Sequence, residues 1–299
     1  MACRRRSQRR TLPPLQKDLL VPDRYCVVGN PVEHSRSPWI HARFAALTGQ
    51  VLDYGKQLVA LDDFGRAVRA LRDSGARGCN VTVPFKFEAA ALATHVTPRA
   101  LLAGACNTLR FDRDAIAGDN TDGVGLVQDI RVNAGVAIAD AAVLLIGAGG
   151  AAAGVLGPLL AVRPRRLVVA NRTLARAQEL VLRHAAAADQ GQVDLSAAPL
   201  VRPGDAFDIV INGSASSLSQ GGVPVPATVL RPGALACDMM YGPSAQPFLD
   251  WARAHQAVPR DGLGMLVEQA AEAFLFWRGV RPPSAQVLAE LRALTSSKS

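Results

Sequence analysis

Two side chains in this sequence could move a proton between them: Lys86, which closes the segment "NVTVPFK" (80–86), and Asp122, within "GDNTDGVG" (118–125). An ammonium beside a carboxylate suits carbonyl reduction, in which an oxygen gains negative charge and then a proton. Other polar residues occur in the same kind of context. Thr82 shares the first segment, Asn107 lies in "GACNT" (104–108), and Ser35 and Ser37 lie in "GNPVEHSRSP" (29–38). The serines come where a helix should begin, and the free backbone N–H groups of a helix start suit an anion such as a carboxylate. Thr82, Lys86, Asn107 and Asp122 mix donors with acceptors, a set that fits vicinal hydroxyls. Each residue alone has an ordinary role open to it: Asn107 and Asn120 as turn formers, Asp122 as a helix cap, Lys86 as a surface charge. Their clustering at strand ends is what points to a site, since open α/β sheets bind ligands at the carboxyl ends of their strands.

A second constellation is built on glycine. In "VLLIGAGGAAAG" (143–154) a strand-like run leads into Gly147, Ala148, Gly149, Gly150 and Ala151 and then into a helix. Gly147 permits a tight turn and Gly149 a close approach to a pyrophosphate, while Ala152 replaces the third glycine of the G-x-G-x-x-G pattern. The next strand ends in "ANRTLAR" (170–176). An NAD site would place Asp or Glu there for the ribose 2′-OH. Here Asn171, Arg172 and Thr173, with Arg176 a turn further on, offer two guanidiniums and a hydroxyl to a 2′-phosphate, so the expected cofactor is NADP. Paired arginines suit a helix start poorly unless an anion comes there.

The elements that must position these residues alternate between strand and helix, which implies a mainly parallel sheet. "RYCVVG" (24–29) reads as a strand. "SPWIHARFAALTG" (37–49) reads as a helix with Ser37 as N-cap, Pro38 in the first turn and Gly49 as its stop. "VLDYGKQLVA" is a second strand, 61–75 a second helix with Phe64, Val68 and Leu71 on one face, and "GCNVTVP" (78–84) a third strand ended by proline. "ACNTLRF" and "AIAGDN" form a further pair of short strands, and "TDGVGLVQDIRVNAG" starts the helix that leads out of this unit. A βαβ series of nucleotide-binding type follows, through "RRLVVANRTLARAQELVLRHA", "DIVING" and "ALACDMMY". The long apolar helix at 264–280 comes too late to belong to that series, and 214–226 is the most irregular stretch.

Composition bounds the rest. The 299 residues suggest two domains, and 49% hydrophobic with 19% charged residues can bury a sizeable core. The longest apolar run is broken by glycine and proline and no membrane span is expected. Five scattered cysteines with no C-x-x-C argue for reduced thiols in a cytoplasmic enzyme, and the scattered histidines imply no metal site. Of the net charge of +8, much sits in residues 1–24, which hold seven basic side chains and two acidic ones. Residues 1–23 read as a basic, disordered tail without a secretory signal, and no specific nucleic-acid binding is expected from it.

Taken in order, "GNPVEHSRSP", "NVTVPFK", "GACNT", "GDNTDGVG", "GAGGAA", "NRT", "DMMY" and "DGLGMLVEQAAEAFLFW" make the chain resemble the shikimate dehydrogenases, from Arg24 to about Val280. The resemblance implies an α/β protein of two domains: an N-terminal substrate domain (24–123) with a mainly parallel sheet and a Rossmann-type NADP domain (124–262), with C-terminal helices (263–299) returning to the first. It implies NADP-dependent reduction of 3-dehydroshikimate to shikimate within chorismate biosynthesis, by a monomer or homodimer. Ser35, Ser37 and Tyr241 would bind the substrate carboxylate. Thr82, Lys86, Asn107, Asp122 and Gln269 would bind its ring hydroxyls, with Lys86 and Asp122 the catalytic pair. Residues 147–151, Asn171, Arg172, Thr173, Arg176, Met239 and Gly262 would contact NADP. The chain departs from the family in its basic extension and in "INGSASSL" (211–218). Two other readings are a quinate/shikimate dehydrogenase that also uses NAD, which the Arg172/Arg176 pair argues against, and a silent shikimate-binding sensor, which the intact Lys86/Asp122 pair argues against.

Overall fold

A computed structural model describes residues 21–214 and 223–296. Residues 1–20 of the expected tail and most of the irregular 214–226 loop lie outside the described residues. Asp23, expected in the tail, instead opens strand β1 (Asp23–Gly29), where its carboxylate accepts from Arg77 Nε at 2.9 Å and from Arg278. Two arginines from other elements thus draw the strand one residue further than its apolar run.

Two six-stranded sheets carry the chain. In the first, β1 pairs in parallel with β2 (Leu52–Leu58) and β3 (Gly78–Val81). β5 (Thr108–Phe111) runs antiparallel between β3 and β6 (Ile116–Asp119), and β4 (His95–Val96) closes the edge beside β6. The strand order is β2-β1-β3-β5-β6-β4. One reversed strand has a consequence for the site. The amino end of β5, with Asn107 just before it, lies at the edge where β1, β3 and β6 end. Val81 N–H donates to Asn107 O at 2.8 Å and Asn107 N–H to Asp119 O at 3.0 Å, which fixes that position from both sides. Phe64 and Val68 of helix α2 (Phe64–Asp73) pack with Phe85, Cys79 and Leu109 into the core of this sheet.

Ser37 is not the N-cap of helix α1 (Ser37–Thr48). It is the first helical residue; Arg36 holds the N-cap position without a side-chain cap, and Ser35 Oγ, one residue earlier, accepts the Ser37 N–H at 3.2 Å. Gly49 does end the helix, in the left-handed conformation. Two short helices, α3 (Lys86–Leu92) and α4 (Pro98–Ala103), follow β3 and β4.

Helix α5 (Asp122–Gln128), continued by a wider π turn at 129–133, leads to the second sheet. All its pairings are parallel, in the order β12-β11-β10-β7-β8-β9. Here β7 is Ala142–Ile146, β8 Arg166–Asn171, β9 Asp194–Pro199, β10 Phe207–Asn212, β11 Leu230–Asp238 and β12 Val258–Arg260. The strand order reverses between β7 and β10, the topological switch point where doubly wound sheets bind dinucleotides. Helix α6 (Gly150–Ala161) covers one face with α7 (Leu174–Gly191), and α8 (Gln246–Ala254) the other. Helix α9 (Leu263–Arg278) then crosses back to α5 and α1, and α10 (Ser284–Ser296) packs beside it on α1. Ile40 and Phe44 of α1 share a buried cluster with Val267, Phe274, Val287 and Leu291. Among the described residues no helix is long and apolar enough to cross a membrane.

Candidate active site

Lys86 opens α3 and Asp122 opens α5. Their side chains meet with Nζ 2.5 Å from Oδ2, and both residues are buried. A buried ion pair is worth holding only when its remaining lone pairs are satisfied. Asp122 Oδ1 accepts from Asn107 Nδ2 at 2.8 Å, and the Asp122 N–H donates to Asn120 Oδ1 at 3.2 Å. Asn107 is oriented without ambiguity. Its Oδ1 accepts the Thr121 N–H at 2.9 Å, which can only donate, so its Nδ2 must face the carboxylate. The same Nδ2 lies 3.2 Å from Gln269 Oε1, and Gln269 is held in turn by its own donation to Leu266 O at 2.9 Å. Lys86, Asn107, Asp122 and Gln269 therefore form one connected polar cluster contributed by α3, the edge before β5, α5 and α9.

Behind it runs a buried chain that sequence reasoning missed. Tyr54 Oη donates to Asn80 Oδ1 at 2.6 Å, Asn80 Nδ2 to Thr108 Oγ1 at 3.0 Å, and Thr108 Oγ1 to Asn107 Oδ1 at 3.0 Å. Asn80 and Thr108 stood in the quoted motifs "NVTVPFK" and "GACNT"; their cross-strand pairing was the signal not used.

Thr82 follows the end of β3 and stays half-exposed at the same edge, its N–H on Val28 O at 2.9 Å. Ser35 and Ser37 stand at the start of α1. Tyr241, just beyond β11 in the second sheet, reaches across to their loop, its Oη 3.5 Å from His34 O. Burial pushes the Tyr241 phenol above its ordinary value, so it is held as a neutral hydroxyl. The three hydroxyls that the resemblance implies for a carboxylate thus come from the first sheet's side and from the end of β11.

The glycine-rich turn stands next to this cluster. Gly147 has φ +112°, a conformation that suits glycine alone, and its N–H donates to Ala170 O at 2.7 Å. Gly149 is exposed, with nothing within 4 Å of where a side chain would start, so the start of α6 is open to a ligand. The beginning of a side chain on Gly150 would lie 3.2 Å from Lys86 Cβ. The open helix start is therefore in contact with the stem of Lys86. Ala148 and Ala151 are partly buried on the same turn.

At the end of β8, Asn171 Nδ2 donates to Thr173 O at 2.9 Å and shapes the turn into α7. Arg172, Thr173 and Arg176 are exposed there, and the first turn of α7 holds no acidic residue. Among the described residues neither guanidinium has an ion-pair partner. Two free cations at a helix start, beside an open glycine turn, fit a 2′-phosphate better than a bare ribose. Met239 leaves β11 with its N–H on Asn212 O at 3.0 Å, and Gly262 donates its N–H to Met240 O at 2.8 Å, so both lie near the switch point.

Comparison with known proteins agrees along the chain. Residues 27–109 match the family model of the shikimate dehydrogenase substrate binding domain, residues 131–219 that of shikimate / quinate 5-dehydrogenase, and residues 262–292 that of the shikimate 5'-dehydrogenase C-terminal domain. The NADP(+) shikimate dehydrogenase of Paracidovorax citrulli is 67% identical over 273 residues, 91% of this chain and 97% of its own length. An Ael1 enzyme from Pseudomonas putida superposes with a TM-score of 0.79 at 43% identity, covering 90% of this chain and 98% of that one. The shikimate 5-dehydrogenase of Thermus thermophilus, solved with NADP(H) and shikimate, superposes with a TM-score of 0.77 at 29% identity, covering 91% and 99%.

Proposed function

We propose that this chain, which belongs to the shikimate dehydrogenase family, catalyses the reversible NADP-dependent reduction of 3-dehydroshikimate to shikimate. The observation that carries the reading is the buried Lys86–Asp122 pair in contact with the open start of α6. NADPH, when bound, supplies the hydride. Gly147, Ala148, Gly149, Gly150 and Ala151 would hold its pyrophosphate, Asn171, Arg172, Thr173 and Arg176 its 2′-phosphate, and Met239 and Gly262 would line the nicotinamide side.

The chain's own groups do the remainder. Ser35, Ser37 and Tyr241 bind the substrate carboxylate through three neutral hydroxyls. Thr82, Asn107 and Gln269 take the ring hydroxyls. The Lys86 ammonium hydrogen-bonds the carbonyl oxygen, stabilises the charge that develops there and supplies the proton. Asp122 holds Lys86 in place and keeps its second oxygen on Asn107. Because the Asp122 carboxylate is satisfied by the Asn107 amide on one oxygen and the Lys86 cation on the other, it stays aimed without reorganising during the reaction.

We assign 24–123 to the substrate half and 124–262 to the cofactor half, with the C-terminal helices completing the former. Shikimate and 3-dehydroshikimate are the ligands we infer, for a monomer or homodimer in the cytoplasm, the compartment suggested by its scattered free thiols. The test is turnover with shikimate or quinate, each with NADP⁺ or NAD⁺. The reading expects shikimate with NADP⁺ to give the highest kcat/KM. Binding without turnover would make the chain a sensor, and equal use of quinate and NAD⁺ would make it the broader enzyme.

A further inference from the structure

Helix α5 is pressed between two other helices at the residues that follow Asp122. A methyl group built on Gly123 would stand 2.5 Å from Pro158 Cγ and 2.6 Å from Gly154 O, both on α6. One built on Gly125 would stand 2.6 Å from Gln269 N and 2.7 Å from Gln269 Cβ, both on α9. These separations are far inside van der Waals contact, and on each side part of the obstacle is backbone, which cannot rotate away. Only glycine lets the helices approach so closely. Residues 123 and 125 point to opposite sides of a helix, so each glycine governs one approach only. Asn120 reinforces the α6 side: a methyl on Gly154 would meet its Oδ1 at 2.6 Å, while the same oxygen accepts the Asp122 N–H.

We propose that Gly123 and Gly125 are positioning residues that make α5 a two-sided spacer. Gly123 sets the distance from Asp122 to the cofactor helix, and Gly125 sets the distance from Asp122 to Gln269. The proposal rests on the reading of α6 as the NADP helix and of Gln269 as a substrate ligand. Adding a methyl at 123 displaces α6, and with it the hydride donor, relative to Lys86 and Asp122. Adding one at 125 displaces Gln269 and leaves the cofactor helix where it was. The chemical step tolerates such misplacement poorly, whereas ground-state binding of the other ligand does not sense it.

The experiment uses the full chain and compares wild type, Gly123→Ala, Gly125→Ala and Pro158→Ala. It measures kcat, the two KM values, the melting temperature, and the primary isotope effect with shikimate deuterated at the carbon that gives up hydride. Gly123→Ala should lower kcat about 10-fold or more and enlarge the isotope effect, with KM for shikimate held within about 2-fold. Gly125→Ala should raise KM for shikimate about 10-fold, with KM for NADP⁺ held within about 2-fold. Pro158→Ala removes the ring that Gly123 meets and improves helix propensity, so it keeps the fold if a glycine variant does not. It should lower kcat several-fold and enlarge the isotope effect. The proposal is overturned if Pro158→Ala matches wild type in both, or if the two glycine variants lose the same parameters in the same proportion. A wild type that fails to turn over shikimate would instead remove the functional reading beneath it.

Discussion

Lys86 is the residue that the proposed chemistry turns on. Its Nζ is held by one carboxylate oxygen of Asp122 at 2.5 Å, with the other taken by Asn107. Lys86→Ala should reduce kcat by roughly 10²-fold or more, the usual scale for a positioned acid or oxyanion donor, with KM for shikimate changed much less. A steady-state comparison decides it, and near-normal kcat would remove Lys86 from the mechanism. Arg172, in the proposed reading, acts on the cofactor alone. Arg172→Ala should lower kcat/KM for NADP⁺ by roughly 10- to 100-fold and leave NAD⁺ nearly unchanged, since only NADP carries the group that pairs with it. An unaltered ratio of the two cofactors would place the 2′-phosphate elsewhere. The structural setting of both residues was legible in the sequence because their motifs are local: a strand followed by a lysine, and a strand end with arginine where a carboxylate would select NAD. Gln269 was different. Nothing in the periodicity of α9 says that one of its polar positions meets Asn107, because that contact joins residues far apart in the chain; it was reached through family resemblance only.

At the level of elements, an ion pair fixes the exit of α5 on the second sheet. Asp129, at the start of the π turn, accepts from Arg260 Nε at 2.7 Å and Nη2 at 2.6 Å and from Asn133 Nδ2 at 3.0 Å. Asp129 is buried and Arg260 half-buried, and the pair ties the exit of α5 to β12 immediately before α9. Arg260→Leu should cost about 3–5 kcal/mol, because it leaves the Asp129 carboxylate buried without its counter-charge. Adding Asp129→Asn to that variant should recover a large part of the loss, as urea unfolding of the three proteins would measure. Elements of this kind mark where sequence reading stops. β9 carries "DLSAAP", with one leucine and no β-branched residue, and β4 and β12 are two and three residues long, too short for any alternation. They exist because a neighbouring strand offers an edge, as β8 does for β9. Ser37 shows the same limit at a helix start, where the residue that looked like the cap is the first residue of the helix and Arg36 holds the cap position.

For the molecule as a whole, His41 sets an acid limit. It is fully buried on α1, stacked on Tyr54 with ring centroids 4.3 Å apart, and burial pulls its pKa down to about 3 from 6.5. The unfolded chain takes up that proton below about pH 6.5, whereas the folded chain resists until near pH 3. Over that window the unfolded state binds more protons, so stability falls as pH falls, by up to about 1.4 kcal/mol per pH unit for this one group. Melting temperature should therefore drop between pH 6.5 and pH 4, and His41→Phe, which keeps the ring on Tyr54, should flatten the drop. An unchanged slope in that variant would assign the acid sensitivity to other groups.

Tyr241 leaves the second sheet yet stands over the loop of Ser35 and Ser37, which belongs to the first. The carboxylate site proposed for Ser35, Ser37 and Tyr241 has a wall shared between two lobes, and filling it would bias how the lobes sit. Shikimate and NADP⁺ are then linked thermodynamically: each must tighten or loosen the other's binding by the same factor. Calorimetric titration of NADP⁺ with and without saturating shikimate, and the reverse, should return equal ratios of Kd. Tyr241→Ala, which takes the shared wall away, should bring that ratio toward one, so that the two ligands bind as strangers to each other.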